Sequence, residues 1–232
     1  MTYSIENAER FQWSSVSGDL LADRVMYLEK FVIGSKILEA GCGGGAYTNF
    51  LSEKGFEVTG VDLYPDFIEI ARQKSLKGNF IQADILSLPF GDKQFETSFS
   101  FDVLEHVDDV AALQELARVT SKRIILTLPQ RDDYIKDFGL TFITYQDPTH
   151  LRYYDEDSLL RLCNIVRPKD VEIIKEGFIA AQALAEHLLE PLPRITLRRF
   201  RPSLFYPYLA KKFLGKSPLK RINLGLAAII DL

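Results

Sequence analysis

Apolar positions along residues 19–164 recur with two different periods. Leu21, Val25, Leu28 and Val32 stand at helical spacing, which predicts a helix over 19–32. Strands that alternate with helices are joined by right-handed crossovers, so the pattern predicts an α/β fold with a doubly wound, mostly parallel sheet and helices on both faces. The predicted strands lie at 37–40, 56–62, 79–84, 95–100 and 123–128, and the predicted helices at 45–54, after Pro65, at 109–119 and after Asp155.

A glycine-rich loop follows the first predicted strand. Residues 39–46 read Glu-Ala-Gly-Cys-Gly-Gly-Gly-Ala and lead into a helix. Glycines permit positive φ and close backbone approach, and the N–H groups that open the helix are donors for a ligand. Two interpretations stay open from the loop alone. Gly41, Gly43 and Ala46 match the dinucleotide-binding fingerprint G-x-G-x-x-G/A. Residues Glu39 to Gly45 also match a second pattern, E/D-x-G-x-G-x-G, which begins with an acidic residue.

Acidic residues stand at the ends of the second and third predicted strands. Asp62 ends the second strand, where a carboxylate can accept hydrogen bonds from ribose hydroxyls. Asp84 ends the third strand and leads into the apolar segment 85–90. An acceptor beside apolar cover is suited to adenine, which has an exocyclic amine and two apolar faces. The fourth strand leads into residues 101–107, Phe-Asp-Val-Leu-Glu-His-Val.

These four segments together resemble the class I S-adenosylmethionine-dependent methyltransferases over roughly residues 35–130. The resemblance implies a seven-stranded sheet, S-adenosylmethionine as cofactor with S-adenosylhomocysteine as product, and no metal. It places the backbone of Gly41 and Gly43 near the methionine part, Asp62 on the ribose and Phe101 beside the methionine end. Smaller residues are frequent in the family where Phe101 stands. The predicted cofactor-binding residues are Glu39, Ala40, Gly41, Gly43, Asp62, Leu63, Ala83, Asp84, Ile85 and Phe101.

Two of the three histidines are candidate catalytic residues. His106 follows the fourth strand, where related methyltransferases carry a similar Glu-His pair, although it could also be a helix-start residue with local hydrogen bonds. His150 lies in a segment that resembles methyltransferases of glycans and lipid-quinone-like substrates, yet His150 and Arg152 could simply fasten the loop. We therefore predict O-methylation of a small-molecule, glycan or lipid-linked acceptor. A nicotinamide-dependent oxidoreductase and a non-catalytic scaffold of the same fold stay as alternatives.

The chain has 232 residues and 47% apolar content, which fits one sizeable core. We predict a domain over 1–190, with an N-terminal helical segment at 1–34, a core from about 35 and a long loop at 130–154. Residues 191–232 are predicted to form an extension. Only two cysteines are present, and the first residues lack the basic and apolar regions of a secretion signal, so a cytoplasmic location is expected.

The predicted extension has a charge opposite to that of the rest of the chain. Residues 191–232 hold nine basic residues and one acid, whereas the first 190 residues carry a net charge of −12. Interleaved aromatic residues and five prolines accompany the basic ones. An anionic partner is expected, either a membrane surface or lipid carrier, giving peripheral contact with the membrane, or nucleic acid, although no RNA-binding module is recognisable. The alternative is packing across the acidic domain or a homodimer interface.

Overall fold

The computed structural model describes residues 19–74, 77–131, 147–180 and 221–232, with side chains for all of these except 177–180 and 221–224. The predicted segment before residue 19, most of the loop 130–154 and residues 191–220 lie outside the described residues. In chain order the elements are α1 (Ala22–Phe31), β1 (Lys36–Ala40), α2 (Ala46–Glu53), β2 (Glu57–Asp62), α3 (Pro65–Lys74), β3 (Asn79–Gln82), β4 (Phe95–Phe101), a 3-10 turn (Leu104–His106), α4 (Asp109–Val119), β5 (Thr120–Pro129), α5 (Glu156–Asn164), β6 (Asp170–Ala180) and β7 (Arg221–Asp231).

The seven strands form one sheet in the order β3-β2-β1-β4-β5-β7-β6. Strands β1 to β5 are parallel to one another, and β7 runs antiparallel to β5. The predicted doubly wound, mostly parallel sheet is therefore confirmed. The order reverses between β1 and β4, and this switch point is where open α/β sheets leave a crevice for ligands.

Side chains of successive strand residues face opposite sides of the sheet and build a core on each. In β1, Ile37 belongs to one buried cluster and Leu38 to the other. The first cluster also holds Tyr27 and Leu28 of α1 with Leu51 of α2. The second is filled from α4 and α5, through Leu113, Leu116 and Leu159 among others. Both faces of the sheet are thus covered, which is what a parallel sheet requires.

Strand β7, which lies within the residues of the predicted extension 191–232, belongs to the sheet. Leu226, Ala228 and Ile230 are fully buried on one face of the sheet. Arg123 of β5 and Asp231 of β7 form a two-pronged ion pair, with Nε–Oδ1 at 2.6 Å and Nη2–Oδ2 at 3.1 Å. The apolar run of these residues completes the core, so the last part of the predicted extension is a sheet strand.

The chain divides into two compact units, one of residues 1–174 with 225–232 and the other of residues 175–224. The first unit contains β1 to β5, the five helices α1 to α5 of the described residues, residues 225–231 of β7 and the core. The described part of the second unit consists of residues 175–180 and 221–224, which are extended. Among the described residues, no helix has the length and apolar character needed to cross a membrane.

Candidate active site

The carboxyl ends of the five parallel strands bring most of the predicted site residues to one edge of the sheet. The glycine loop follows β1, Asp62 ends β2, Asp84 follows β3 and Phe101 ends β4. The switch point between β1 and β4 divides this edge into two halves. The half at β1 to β3 carries the predicted cofactor residues, and the half at β4 and β5 carries the histidines.

The glycine loop has the backbone conformation that its sequence predicts. Gly41 and Gly45 adopt left-handed φ angles of 81° and 79°, which side chains disfavour. A Cβ on Gly41 would lie 2.3 Å from Cγ2 of Val103. The loop is also tied to β2, because the N–H groups of Gly41 and Cys42 both donate to the carbonyl oxygen of Val61 at 2.8 Å. The loop is thus rigidly bent against the end of the sheet.

Asp62 joins the glycine loop to the end of β2. Its Oδ2 accepts a hydrogen bond from the N–H of Gly43 at 2.9 Å, and its Oδ1 accepts from the N–H of Tyr64 at 3.0 Å. Burial raises the pKa of Asp62, and these backbone donors oppose that rise. Each carboxylate oxygen can accept more than one hydrogen bond, so capacity remains for ribose hydroxyls.

Glu39 lies beneath the glycine loop. Its side chain is buried, and Oε2 accepts from the N–H and the hydroxyl of Thr48 at 2.8 and 2.5 Å. Burial raises the pKa of Glu39 to about 8. The neighbouring Ala40 is buried as well, and its carbonyl oxygen accepts from the hydroxyl of Ser100 across the switch point at 2.8 Å. In this structure Glu39 connects β1 to α2.

The predicted adenine side contains both exposed and buried groups. Asp84 is exposed, and its Oδ1 accepts from the N–H of Leu86 at 2.9 Å, which fixes the turn after β3. Ala83 is half-buried, and its N–H donates to the carbonyl oxygen of Asp62 at 2.9 Å. The side chain of Ile85 is buried in the core, whereas Leu63 and Leu86 are exposed. Leu86, which is not among the residues predicted from the sequence, is therefore an exposed apolar group in this turn.

Phe101 lies beside the switch point in an aromatic cluster. Its ring meets that of Tyr47 edge to face at a centroid distance of 5.3 Å, and the guanidinium of Arg24 lies 5.6 Å from its centroid. Arg24 also pairs with Asp102 at 3.0 Å. Asp102 has a left-handed φ of 56°, a conformation that is uncommon outside glycine and is frequent at functional sites. Arg24, Tyr47 and Asp102 are not among the site residues predicted from the sequence.

The structure brings the two predicted catalytic histidines together, although 43 residues separate them along the chain. The rings of His106 and His150 meet at a centroid distance of 4.6 Å and an angle of 67°. Nδ1 of His106 lies 3.0 Å from the hydroxyl of Thr149, and that hydroxyl lies 2.5 Å from Oδ1 of Asp147. Burial, followed by the proximity of His150, lowers the pKa of His106 to about 4, and burial also lowers the pKa of His150.

Glu105 lies near the two histidines on the interior side, and it is not among the site residues predicted from the sequence. Only 1% of its surface is exposed, and neither carboxylate oxygen has a hydrogen-bond partner among the described residues. Burial, together with the charge of Asp102, raises the pKa of Glu105 well above its usual range. One ligand atom each from Glu105, His106 and His150 lie within 4.8 Å of one another.

Arg152 fastens the loop that carries His150. Its guanidinium donates to the carbonyl oxygens of Leu104 and Val107 and lies 3.3 Å from a carboxylate oxygen of Asp109. The N–H of Leu151 donates to the carbonyl oxygen of Glu105 at 2.8 Å. The sequence left open whether His150 and Arg152 simply fasten the loop, and Arg152 makes such contacts here. His150 lies against His106 instead.

Comparisons with known proteins agree with this geometry. Residues 38–126 match the protein family described as a methyltransferase domain. A malonyl-[acyl-carrier protein] O-methyltransferase of Serratia marcescens is 38% identical over 88 residues, which are 38% of this chain and 34% of that protein. A ubiquinone biosynthesis O-methyltransferase of Xylella fastidiosa is 37% identical over 98 residues, which are 39% of each protein. The chain thus spans little more than a third of the length of these two relatives.

A solved structure matches the whole fold. A SAM-dependent methyltransferase from Archaeoglobus fulgidus superposes with a TM-score of 0.70 and 20% identity, covering 100% of both chains. The family match runs from β1 into β5 and includes the glycine loop, Asp62 and the His106 turn. Residues 38–126 therefore match a methyltransferase domain, and the predicted resemblance to the fold of the class I S-adenosylmethionine-dependent methyltransferases is confirmed.

Proposed function

We propose that this protein is an S-adenosylmethionine-dependent methyltransferase that methylates an oxygen atom of its acceptor. The observation that carries the proposal is the division of the site at the switch point. A glycine loop with two strand-end carboxylates lies on one side, and a half-buried pair of histidines lies on the other. A donor molecule and an acceptor can therefore occupy adjacent halves of one crevice.

The half of the site at β1 to β3 supports the cofactor proposal. In it, the loop of Gly41 and Gly43 would border the methionine part of the cofactor, and Asp62 would accept hydrogen bonds from the ribose hydroxyls. Asp84, Leu63 and Ala83 would border the adenine. Glu39 and Ala40 hold the loop from below through Thr48 and Ser100. When bound, S-adenosylmethionine supplies an electrophilic methyl carbon for in-line displacement at sulfur.

The half at β4 and β5 supports an oxygen acceptor, because a hydroxyl must lose its proton as it is methylated. The hydroxyl of Thr149 has one proton, and its 2.5 Å contact with Asp147 uses it. Thr149 must then accept from Nδ1–H of His106, which leaves Nε2 as the unprotonated nitrogen. In this proposal Nε2 receives the proton of the acceptor, with the ring of His150 beside it.

The curated relatives support the choice of oxygen over nitrogen, because both are named as O-methyltransferases. The acceptor that we propose is a small molecule, a glycan or a lipid-linked compound that carries a hydroxyl or carboxyl group. Incorporation of a labelled methyl group from S-adenosylmethionine into phenols, glycan hydroxyls and acyl carboxylates would identify the class. Transfer to amines alone would contradict the oxygen assignment.

The first experiment is calorimetric titration of the purified chain with S-adenosylhomocysteine and, separately, with NADH. We expect micromolar binding of S-adenosylhomocysteine and none of NADH. Binding of NADH alone would establish the alternative of a nicotinamide-dependent oxidoreductase. Binding of neither would favour a non-catalytic scaffold with a methyltransferase fold.

Replacement of Asp62 tests the ribose assignment. Asp62→Ala removes charge-assisted hydrogen bonds, and we expect S-adenosylhomocysteine binding to weaken by about 1–3 kcal/mol. The matched control is Asp66→Ala, since Asp66 is exposed in the first turn of α3. Equal affinity of the two variants, measured by the same titration, would contradict the assignment.

A further inference from the structure

A buried carboxylate and two imidazoles converge beside the acceptor half of the site. One ligand atom each from Glu105, His106 and His150 lie within 4.8 Å of one another. Glu105 and His106 are adjacent in the turn after β4, while His150 arrives on the loop after β5. The main-chain bond from Leu151 to Glu105 holds the loop against the turn. The convergence therefore results from the fold.

The carboxylate of Glu105 has no ion-pair partner and no hydrogen-bond donor within the described part of the chain. Both of its oxygens are fully buried and lack hydrogen-bond partners, and Nδ1 of His150 lacks one as well. Leaving such groups unsatisfied costs several kcal/mol in a protein interior. A retained cluster of this kind needs a proton or a cation to offset that cost.

The charges around the cluster favour a cation. Asp102 and Asp147 both act on Glu105 as like charges, and Arg24 is the opposing positive charge. Arg24 lies 3.0 Å from Asp102, which it neutralises in part. The like charges of Asp102 and Asp147 disfavour an ionised Glu105 on its own, and a cation bound between Glu105 and the two imidazoles would offset them.

The neighbours of His106 orient it as a ligand. In metal sites a ligating histidine usually donates its second ring N–H to an acceptor that fixes its tautomer. Here Nδ1–H of His106 donates to Thr149, whose hydroxyl donates to Asp147. Nε2 is therefore the nitrogen that can ligate. This second layer of contacts is the independent observation that separates the cluster from a chance grouping.

We propose that Glu105, His106 and His150 bind a divalent first-row transition metal ion. Two imidazole nitrogens with one carboxylate oxygen suit such an ion better than Mg²⁺, which prefers oxygen ligands alone. Bonds of about 2.0–2.2 Å to a tetrahedral ion bring ligand atoms about 3.4 Å apart, so the side chains rotate inward on binding. Three protein ligands leave a position for water or substrate.

The catalytic consequence rests on the proposed function, whereas the binding does not. An acceptor hydroxyl in the open position would lose its proton more readily, because a bound cation lowers the pKa of an attached oxygen. With the ion present, the two histidines act as ligands and the proton leaves to solvent. Without it, His106 is the proton acceptor already described.

The test is metal binding by the full-length chain after treatment with a chelator. Equilibrium dialysis against Zn²⁺ should give one equivalent per chain, and Co²⁺ should give the visible absorption of a four- or five-coordinate nitrogen and oxygen site. Glu105→Gln and His150→Gln should each weaken Zn²⁺ binding more than tenfold. His187→Gln is the matched control, because His187 is the remaining histidine of the chain and is not one of the three proposed ligands.

A positioning variant gives a second, milder readout. Thr149→Val removes the hydroxyl that orients His106, and we expect roughly tenfold weaker Zn²⁺ binding with the same stoichiometry. Circular dichroism confirms that each variant is folded. Less than a tenth of an equivalent of Zn²⁺ in the parent, or equal affinity in the parent and Glu105→Gln, would overturn the proposal.

The outcome can be separated from that of the proposed function. Zn²⁺ binding is measured without cofactor or acceptor, and S-adenosylhomocysteine binding is measured in chelator. S-adenosylhomocysteine binding without Zn²⁺ binding overturns the metal site alone. Zn²⁺ binding without S-adenosylhomocysteine binding overturns the methyltransferase proposal alone and supports the metal site.

Discussion

Two glycines with similar left-handed φ angles occupy very different surroundings. Gly41 in the cofactor loop has φ of 81°, and a Cβ there would overlap Val103. Gly55 after α2 has φ of 94°, and a Cβ there would meet nothing within 4 Å. Backbone conformation requires glycine at both positions, but close packing requires it at Gly41 alone.

Alanine at each position separates these two requirements. Gly55→Ala should cost about 1 kcal/mol of unfolding free energy through backbone strain. Gly41→Ala should cost about 1–3 kcal/mol more, because Val103 or the loop must move, and S-adenosylhomocysteine binding should weaken at least tenfold. Urea denaturation and calorimetric titration measure the two effects. Similar losses in both variants would show that the loop accommodates the methyl group.

Glu39 should make stability depend on pH through its raised pKa of about 8. A carboxyl group with a folded pKa above its unfolded value near 4.5 stabilises the fold at low pH, and this contribution is lost as the pH rises through 8. The free energy of unfolding should therefore fall by a few kcal/mol between pH 5 and 9, at about 1.4 kcal/mol per pKa unit.

Glu39→Gln removes this ionisation. The variant should lose less stability than the parent between pH 5 and 9, as measured by urea denaturation at several pH values. Glu53→Gln is the control, since Glu53 is exposed at the end of α2. A parent and a Glu39→Gln variant with parallel pH profiles would contradict the raised pKa.

Among the strands, β6 and β7 are the two whose places the sequence pattern did not predict, and β7 is the more instructive case. Its residues follow a basic, proline-rich stretch, and the change in composition at residue 191 hides the return to the sheet. The apolar run at 224–230 was the available signal. The ends of β1 to β4 were predictable because glycine or aspartate ends or follows each of them, and Pro129 marks the end of β5.

The truncated chain 1–190, which corresponds to the predicted domain, tests the contribution of β7. Without β7, the buried positions of Leu226, Ala228 and Ile230 are vacant and the edge of β5 is unpaired. We expect this fragment to aggregate or to lose cooperative thermal unfolding, whereas the full chain unfolds cooperatively. A fragment with the same sharp transition as the full chain would show that β7 is dispensable.

The histidine cluster shows the limit of pattern reading at the level of elements. Histidine is rare in this chain, and His106 was selected because it follows the fourth predicted strand. His150 was selected because its segment resembles methyltransferases of glycans and lipid-quinone-like substrates. Glu105 was not selected, since its burial depends on the turn after β4 and on the loop that Arg152 fastens. Contacts between segments that are distant in sequence decide whether a carboxylate faces water or two imidazoles.

For the whole molecule, the separation of charge along the sequence remains a prediction. Most of the basic residues beyond 190 lie outside the described residues, so membrane contact, homodimer formation and packing on the acidic domain stay open. The basic and aromatic composition favours an anionic surface. We therefore propose peripheral contact with anionic lipid.

Sedimentation with vesicles tests this contact. The protein should bind vesicles that contain phosphatidylserine and not vesicles of phosphatidylcholine alone. Binding should disappear at about 0.5 M salt, where the Debye length falls to about 4 Å. Replacement of Lys211, Lys212 and Lys216 by glutamine should weaken it, with Lys30, Lys54 and Lys74 as the control positions. Equal binding to both kinds of vesicle would contradict the proposal, and sedimentation velocity would then test the dimer.

The antiparallel pairing of β7 with β5 has a consequence for the newly synthesised chain. Arg123 of β5 is synthesised 108 residues before Asp231, and their ion pair can form only after Asp231 has been added to the chain. During that interval the ribosome has already released β6, which in the finished sheet lies beyond β7. The unpaired edge of β5 could therefore pair with β6 before β7 is synthesised. Productive folding requires that this edge stays unpaired until β7 emerges.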